Sequence, residues 1–282
     1  MNKRIKYIIF LFVLLFLFLF VSILFFKNIE SFEFNNQPNY LSVLAILKNE
    51  SMNLKVWVDH YLWQGVEQIY IIDNGSTDNS VEIIKDLQSK GYPIILYELP
   101  EKHSQLKHYR SVYDQEELWK KTKWLIIADL DEFFYCNNST LKDELKKYED
   151  KHVIYSAWHM FGSNNLINHP EDIRTSIINR EPDHHELTKY IFQPVYISSD
   201  QINNHKIDNI SDENTSILSD IFRLNHYSIQ SCEYFEKVKM TRGDVYTQKS
   251  ENVRDWNYFE RYDKDTSFED SDLKNMVLNI KK

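Results

Sequence analysis

The segment that decides the fold is Trp124-Leu-Ile-Ile-Ala-Asp-Leu-Asp-Glu-Phe-Phe134. Its first five residues are apolar, which is typical of a strand buried on both faces of a sheet. Two carboxylates, Asp129 and Asp131, follow where that strand is expected to end. Open α/β sheets bind ligands beyond the carboxyl ends of their strands. The segment therefore predicts a central strand with a site at its end.

Strand-like and helix-like segments alternate on both sides of this segment. Short apolar runs predict strands at 41–47, 68–72 and 94–99, and apolar residues at helical spacing predict helices near 54–62, 76–90, 105–120 and 139–148. Such alternation predicts an α/β fold with a mostly parallel, Rossmann-like sheet and helices on both faces. The pattern after residue 148 is looser, as expected of a segment that shapes a cleft.

Composition and charge exclude several classes of protein. The chain has 282 residues, of which 43% are hydrophobic and 27% charged, which is the composition of a folded protein. Only 5 Gly and 6 Pro are present, so collagen-like and linker-rich architectures are excluded. The net charge is -9, and no acidic residue precedes Glu30. The body of the chain is therefore strongly acidic, which argues against nucleic acid as a partner.

The N-terminal region has the features of a membrane anchor. Residues 7–26 are apolar except for Ser22, and at about 1.5 Å per residue they can cross a hydrocarbon core of about 30 Å. A cleaved signal peptide is the alternative, but small residues at a cleavage site are missing before Lys27. The positive-inside rule predicts a cytosolic tail at 1–6 and a single-pass type II topology. The large domain would then face a lumen, such as the ER or Golgi of a eukaryote, or the exterior.

The polar segment 27–39 predicts a stalk, and the folded domain is expected to occupy residues 40–282. The two cysteines, Cys136 and Cys232, allow one disulfide in an oxidising compartment or two unpaired thiols.

Asp129 and Asp131 are candidates for a metal and diphosphate clamp. Two carboxylates at a strand exit can reach one hard cation, and Mg²⁺ or Mn²⁺ uses one or two protein carboxylates while phosphates complete its shell. The alternative is an ordinary acidic turn.

A second polar group follows the strand at 68–72. Asp73 precedes Asn74-Gly75, a tight turn, and at the sheet edge its carboxylate could accept hydrogen bonds from a nucleoside. The alternative is a turn with a helix cap. The segment Lys48-Asn49-Glu50, after the first strand, is expected at the same edge.

The ordered series of motifs resembles the family 92 glycosyltransferases and related family-2-like enzymes over about Val43 to Gly243. The matching residues are Lys48-Asn-Glu50, Trp57-Val-Asp-His60, Gly65-Val66, Ile72-Asp-Asn-Gly-Ser-Thr-Asp78, Trp124 to Phe133, Trp158-His-Met-Phe-Gly-Ser163, Lys189-Tyr-Ile191, Asn225-His-Tyr227, Ser231, Glu233, Phe235, Lys237, Arg242 and Gly243. The resemblance implies a GT-A fold, a nucleotide-sugar donor, a divalent metal (Mn²⁺ or Mg²⁺) and inversion at the anomeric carbon. Several such enzymes are type II membrane proteins.

The resemblance also implies roles for individual residues. Asp129 and Asp131 would hold the metal, with His226 as a third metal ligand or a diphosphate contact and His205 as the competing candidate. Asp73 and the three residues Lys48, Asn49 and Glu50 would contact the nucleoside, and Arg110 could neutralise diphosphate, although a solvated helix face is its commoner fate.

The sequence thus predicts a membrane-anchored, metal-dependent, inverting glycosyltransferase. It would move a hexose, with galactose as one candidate, from a UDP-sugar to a glycan hydroxyl. Candidates for the base that takes the acceptor proton are Glu186, Asp183 and Asp244. The alternative is an inactive, membrane-tethered protein that binds glycans or nucleotide sugars, because fold alone does not establish activity.

Overall fold

The computed structural model describes residues 37–102, 104–242 and 254–280. The described residues from Asn39 onward form one compact unit. The predicted tail at 1–6, the anchor at 7–26, most of the stalk and the candidate base Asp244 lie outside the described residues. Within those three described ranges, no helix is both long enough and apolar enough to cross a membrane.

Strands and helices alternate through the first half of the domain. The strands are β1 (Asn39–Leu47), β2 (Gln68–Asp73), β3 (Ile94–Glu98), β4 (Thr122–Ile127), β5 (Glu132–Tyr135), β6 (Val153–Met160), β7 (Asn179–Arg180), β8 (Thr188–Phe192), β9 (Thr215–Ile217), β10 (Arg223–His226) and β11 (Phe268–Glu269). The α-helices are α1 (Leu54–Trp63), α2 (Ser80–Ser89), α3 (Gln105–Gln115), α4 (Leu118–Lys121), α5 (Leu141–Leu145), α6 (Ile173–Ser176), α7 (Cys232–Tyr234), α8 (Trp256–Asp263) and α9 (Asp272–Ile280). Short 3₁₀ turns occupy Pro194–Tyr196, Ser199–Gln201 and Asp212–Asn214, and Phe235–Lys239 is a π-helix.

The central sheet is mixed. Its strand order is β3-β2-β1-β4-β8-β6-β10-β5, with β9 paired to β6. The four strands β3, β2, β1 and β4 are parallel, as the alternating sequence predicts. Strands β8 and β5 run antiparallel to their neighbours, so the second half of the sheet departs from the parallel pattern. Sequence periodicity could not reveal this, because a buried strand is apolar in either direction.

Helices cover both faces of the sheet, as predicted. Leu41, Val43 and Ala45 of β1 belong to a core that includes α1 and α2. Leu44 and Ile46, which point to the opposite face, belong to a second core that includes α3 and α4. The predicted helix at 105–120 is interrupted between α3 and α4, where Glu117 has a φ of 50°.

The carboxyl ends of β1, β2 and β4 meet at one edge of the sheet. Leu47 of β1 is in register with Asp73 of β2, and Leu44 is in register with Ile127 of β4. The residues that follow these strands therefore lie side by side, which places Lys48, Asn74 and Asp129 around the same cavity.

Both cysteines are unpaired thiols. Cys136 is buried and Cys232 is half-buried. The structure therefore favours the second of the two alternatives left by the sequence.

A buried ion cluster fastens the C-terminal segment to the sheet. The carboxylate of Asp270 accepts hydrogen bonds from Arg180 Nε at 2.7 Å and from Arg223 Nη2. Arg223 also contacts Asp272 at the start of α9. The segment from β11 to α9 is thereby held against β7 and β10.

We expect Asp270→Asn to lower the free energy of unfolding by about 2–3 kcal/mol, because the buried Arg180 loses its anion and the half-buried Arg223 keeps only Asp272. Although burial opposes ionisation, the arginines keep the pKa of Asp270 below its usual value. The contribution of the cluster is therefore present above the unfolded pKa and is lost as pH falls through the folded one. Urea denaturation at pH 7 and pH 3 measures both effects, and a variant as stable as the parent at pH 7 contradicts the assignment.

Candidate functional site

A cavity of about 540 Å³ opens at the carboxyl edge of the parallel strands. This volume lies in the usual range for small-molecule sites. Its wall contains both predicted metal ligands of the β4 exit, Asp129 and Asp131, here called the acidic pair. The wall also carries six basic side chains: Lys48, Lys102, Lys189, Lys239, Arg242 and Arg254. The cavity therefore presents more positive than negative groups.

Asp129 is held by a lysine from the antiparallel strand β8. Lys189 Nζ lies 2.9 Å from Asp129 Oδ2 and 3.4 Å from Glu132 Oε2, and its side chain is 1% exposed. Although burial opposes the charge on Lys189, the Asp129 and Glu132 carboxylates raise its pKa well above the usual value. Lys189 in turn lowers the pKa of Asp129 against the effect of burial. The buried Lys189 and the half-buried Asp129 therefore form an ion pair at the cavity wall.

Glu132 contacts both members of this ion pair. Its Oε2 accepts a hydrogen bond from the Asp129 amide at 2.8 Å, while Oε1 is buried without a partner among the described residues. Burial raises the pKa of Glu132 to about 8. Its hydrogen bond with the Asp129 amide positions Asp129 next to Lys189.

Asp131 is held by a second lysine. Lys239 Nζ donates a hydrogen bond to Asp131 Oδ2, and His226 Nε2 lies 3.6 Å from the same oxygen. Although burial disfavours the carboxylate, Lys239 and His226 keep the pKa of Asp131 well below its usual range. Asp131 and His226 thus lie next to each other, as the resemblance implied.

The residues present fit a divalent cation in their chemistry. Two carboxylates and an imidazole face one cavity, and Mg²⁺ or Mn²⁺ needs only one or two protein carboxylates when phosphates supply the rest. Asp131 Oδ1 accepts no hydrogen bond from any described residue, so one oxygen is open to a cation. However, no group of three or more His, Cys, Asp or Glu side chains in the described ranges is arranged to hold a metal. Lys239 occupies the position next to Oδ2.

An aromatic wall stands beside the acidic pair. The ring of Trp158 on β6 lies 4.3 Å from that of His226, 5.1 Å from His205 and 5.5 Å from His185, measured between centroids. His205 Nδ1 lies 3.2 Å from the carbonyl oxygen of Thr188. Because a carbonyl only accepts, Nδ1 carries the proton and Nε2 keeps its lone pair. Burial lowers the pKa of His205, which favours the neutral ring.

The predicted nucleoside edge is only partly directed at the cavity. Lys48 and Glu50 line it, but Glu50 accepts hydrogen bonds from Tyr234 and Arg242. Asn49 Oδ1 accepts from the backbone of Thr77 and so fixes the loop after β2. The carboxylate of Asp73 accepts hydrogen bonds from the amides of Gly75 and Ser76. Asp73 therefore stabilises a turn, which was the alternative to a nucleoside contact.

Three other candidates lie away from the cavity. Arg110 donates to the carbonyl oxygens of Asp200 and Ile202, so it holds a 3₁₀ turn and does not face the cavity. Asp183 and Glu186 are exposed on the connection between β7 and β8, and neither lines the cavity. Helical or loop position alone does not show toward which neighbour a charged side chain turns.

Lys189 and Lys239 are the residues that sequence reasoning missed. Lys189 was part of a motif, but it was given no role. A lone lysine within the apolar strand Thr188–Phe192 was an available signal, because an ammonium is rarely buried without an anion. The motif series contains Lys237 but not Lys239. Lys237 is exposed and pairs with Glu233 of α7, whereas Lys239 points inward.

The chain is similar to curated plant proteins. A glycosyltransferase family 92 protein of Oryza sativa subsp. japonica is 27% identical over 225 residues, which cover 76% of this chain and 38% of that protein. A family 92 protein of Arabidopsis thaliana is 24% identical over 232 residues, 77% of this chain and 39% of that protein. The chain therefore spans about two fifths of the length of these curated relatives.

Among solved structures, Staphylococcus aureus TarS 1–349 in complex with UDP-GlcNAc aligns with 67% of this chain and 58% of its own, at 15% identity and a TM-score of 0.45. The mannosyltransferase Ktr4p of S. cerevisiae aligns with 50% of this chain and 43% of its own, at 14% identity and a TM-score of 0.32. The model of glycosyltransferase family 92 matches residues 43–282. This match covers most of the chain, and the protein belongs to glycosyltransferase family 92.

Proposed function

We propose that this chain is a glycosyltransferase that moves a hexose from a nucleotide-sugar donor to a glycan hydroxyl. Family membership supports the reaction class. The observation that carries the proposal is the cavity at the carboxyl edge of β1, β2 and β4, where the acidic pair lies among six basic side chains. Such edges receive nucleotides in open α/β sheets. The mixed sheet is compatible with the predicted GT-A fold, which is part of the proposal.

The basic wall suits a diphosphate leaving group. Lys189, Lys239 and Arg242 surround the acidic pair and can neutralise phosphate oxygens as the anomeric bond breaks. Asp129, Asp131 and His226 would hold Mn²⁺ or Mg²⁺, which would supply further neutralisation of the leaving group. The UDP-sugar donor, with galactose as the first hexose to test, belongs to this proposal.

Inversion needs one in-line displacement and one proton acceptor. Each cavity carboxylate among the described residues already contacts a cation: Glu50 with Arg242, Asp129 with Lys189 and Asp131 with Lys239. The neutral imidazole of His205 has an open Nε2 in the same cavity. Among the described residues, we therefore assign the role of general base to His205, whose Nε2 would take the proton of the acceptor hydroxyl. Asp244, which lies outside the described residues, remains a candidate for the same role.

Assay of a panel of nucleotide sugars tests the proposed function. Transfer to glycan acceptors and hydrolysis of the donor are measured with Mn²⁺, with Mg²⁺ and in EDTA. Turnover of one donor with loss of activity in EDTA is the expected result. Donor binding without turnover under any condition supports the inactive binding protein instead, and full activity in EDTA removes the metal from the proposal.

We also propose that residues 7–26 anchor the protein with the domain on the lumenal or extracytoplasmic side. Because the described residues from Asn39 onward form a compact unit, a variant lacking residues 1–35 is expected to be folded and soluble. Alkaline carbonate should leave the full chain in the membrane fraction and the shortened one in solution. Release of the full chain contradicts the anchor.

A further inference from the structure

Lys239 reaches the acidic pair through an unusual helix. Phe235–Lys239 forms the only π-helix in the part of the chain that the structure describes, with the Met240 amide donating to the Phe235 carbonyl at 2.9 Å. π-Helical turns contain an extra residue relative to an α-helix and are frequent at functional sites. The turn leaves Lys237 outside and brings Lys239 to the cavity wall.

The ammonium of Lys239 is closely confined. Lys239 is 2% exposed, and its Nζ contacts Asp131 Oδ2. Arg242 lies on the same side of the cavity, where it donates to the Lys48 carbonyl and to Glu50. Lys239 thus places a positive charge on one oxygen of the carboxylate whose other oxygen is open to a divalent cation. The ammonium and the metal therefore repel each other at Asp131.

We propose that Lys239 is a built-in counter-cation that couples metal binding to diphosphate binding. Without donor, Lys239 neutralises Asp131 and weakens its affinity for Mn²⁺. A nucleoside diphosphate offers Lys239 and Arg242 new anionic partners, which frees Asp131 for the metal. Metal and diphosphate then bind with positive cooperativity, and the coupling is reciprocal. This inference rests on the proposed function, since it assumes that the diphosphate of the donor enters this cavity.

Lys239→Gln is the test variant and Lys237→Gln is its matched control, because both lysines belong to the same π-helix. Glutamine at 239 can still donate a hydrogen bond to Asp131 but carries no charge, and Lys239→Met serves as a second variant without the hydrogen bond. Far-UV circular dichroism establishes that each variant is folded. Calorimetry then measures Mn²⁺ alone, UDP alone and Mn²⁺ in the presence of saturating UDP.

Lys239→Gln is expected to bind Mn²⁺ alone at least about tenfold more tightly than the parent, because a positive charge next to the ligand oxygen is removed. UDP alone should bind more weakly, and the enhancement of Mn²⁺ binding by UDP should shrink. Lys237→Gln should match the parent in all three titrations. If Lys239→Gln binds Mn²⁺ no more tightly than the parent, the inference is wrong. Failure of UDP to bind the parent instead contradicts the proposed function, while the titration with Mn²⁺ alone still decides whether Lys239 weakens metal binding at Asp131.

Discussion

Asp131→Asn is expected to reduce sugar transfer by about 10²-fold or more. The substitution keeps the size of the side chain but removes the charge that faces Lys239 and His226. Stabilisation of a departing diphosphate at a cation site is worth several kcal/mol, and each 1.4 kcal/mol corresponds to about a factor of ten in rate. Initial rates at saturating donor, with Mn²⁺ present, give the loss directly.

The control for this variant is Asp183→Asn, which neutralises an exposed carboxylate outside the cavity. It should behave as the parent does. Near-UV circular dichroism separates a chemical effect from loss of packing, because Asp131→Asn also leaves the buried ammonium of Lys239 without its anion. Transfer within a few-fold of the parent by a folded Asp131→Asn variant would show that the acidic pair has no part in catalysis.

Lys189→Met is expected to lower the free energy of unfolding by about 3–5 kcal/mol. The lysine is 1% exposed and contacts both the half-buried Asp129 and the fully buried Glu132, so its loss leaves these two carboxyl groups without their cation. Transfer should fall as well, since Asp129 loses the group that fixes its orientation. Urea denaturation monitored by tryptophan fluorescence measures the stability change.

Lys55→Met provides the matched control because Lys55 pairs with Asp59 on the surface of α1, with 58% of the lysine side chain exposed. Exposed pairs contribute about 0–1 kcal/mol. The double variant Lys189→Met with Asp129→Asn should recover part of the stability, because both members of the ion pair are then uncharged. A Lys189→Met protein as stable as Lys55→Met contradicts the importance of this ion pair.

The first half of the fold was predictable because local and global signals agree there. Each parallel strand is a short apolar run, and each following helix shows its own periodicity, so β1, β2 and β4 could be placed without a structure. The acidic pair was predictable for the same reason, since Asp129 and Asp131 follow an unmistakable strand. The antiparallel entry of β8 was not predictable, because the five residues Thr188–Phe192 carry no information about the direction or the neighbour of their strand.

The partners of the acidic pair could not be read from the sequence. Lys189 and Lys239 come from β8 and from the π-helix, and their contacts with Asp129 and Asp131 depend on tertiary pairing. A helical periodicity of 3.6 residues does not apply across a π-helical turn, so it gives no reason to prefer Lys239 to Lys237. For Arg110 the sequence suggested a diphosphate contact that the structure does not show. Its side chain donates instead to backbone carbonyl groups of a neighbouring loop.

The contact between Asp131 and Lys239 joins residues 108 positions apart in the chain. During synthesis the parallel strands β1 to β4 leave the ribosome well before residue 239, and their local pairing can form early. Asp131 can pair with Lys239 only after the residues of the π-helix have been synthesised. A nascent chain can therefore have much of its sheet and still lack the contact between Asp131 and Lys239, so the cavity wall is complete only after residue 239 has been made.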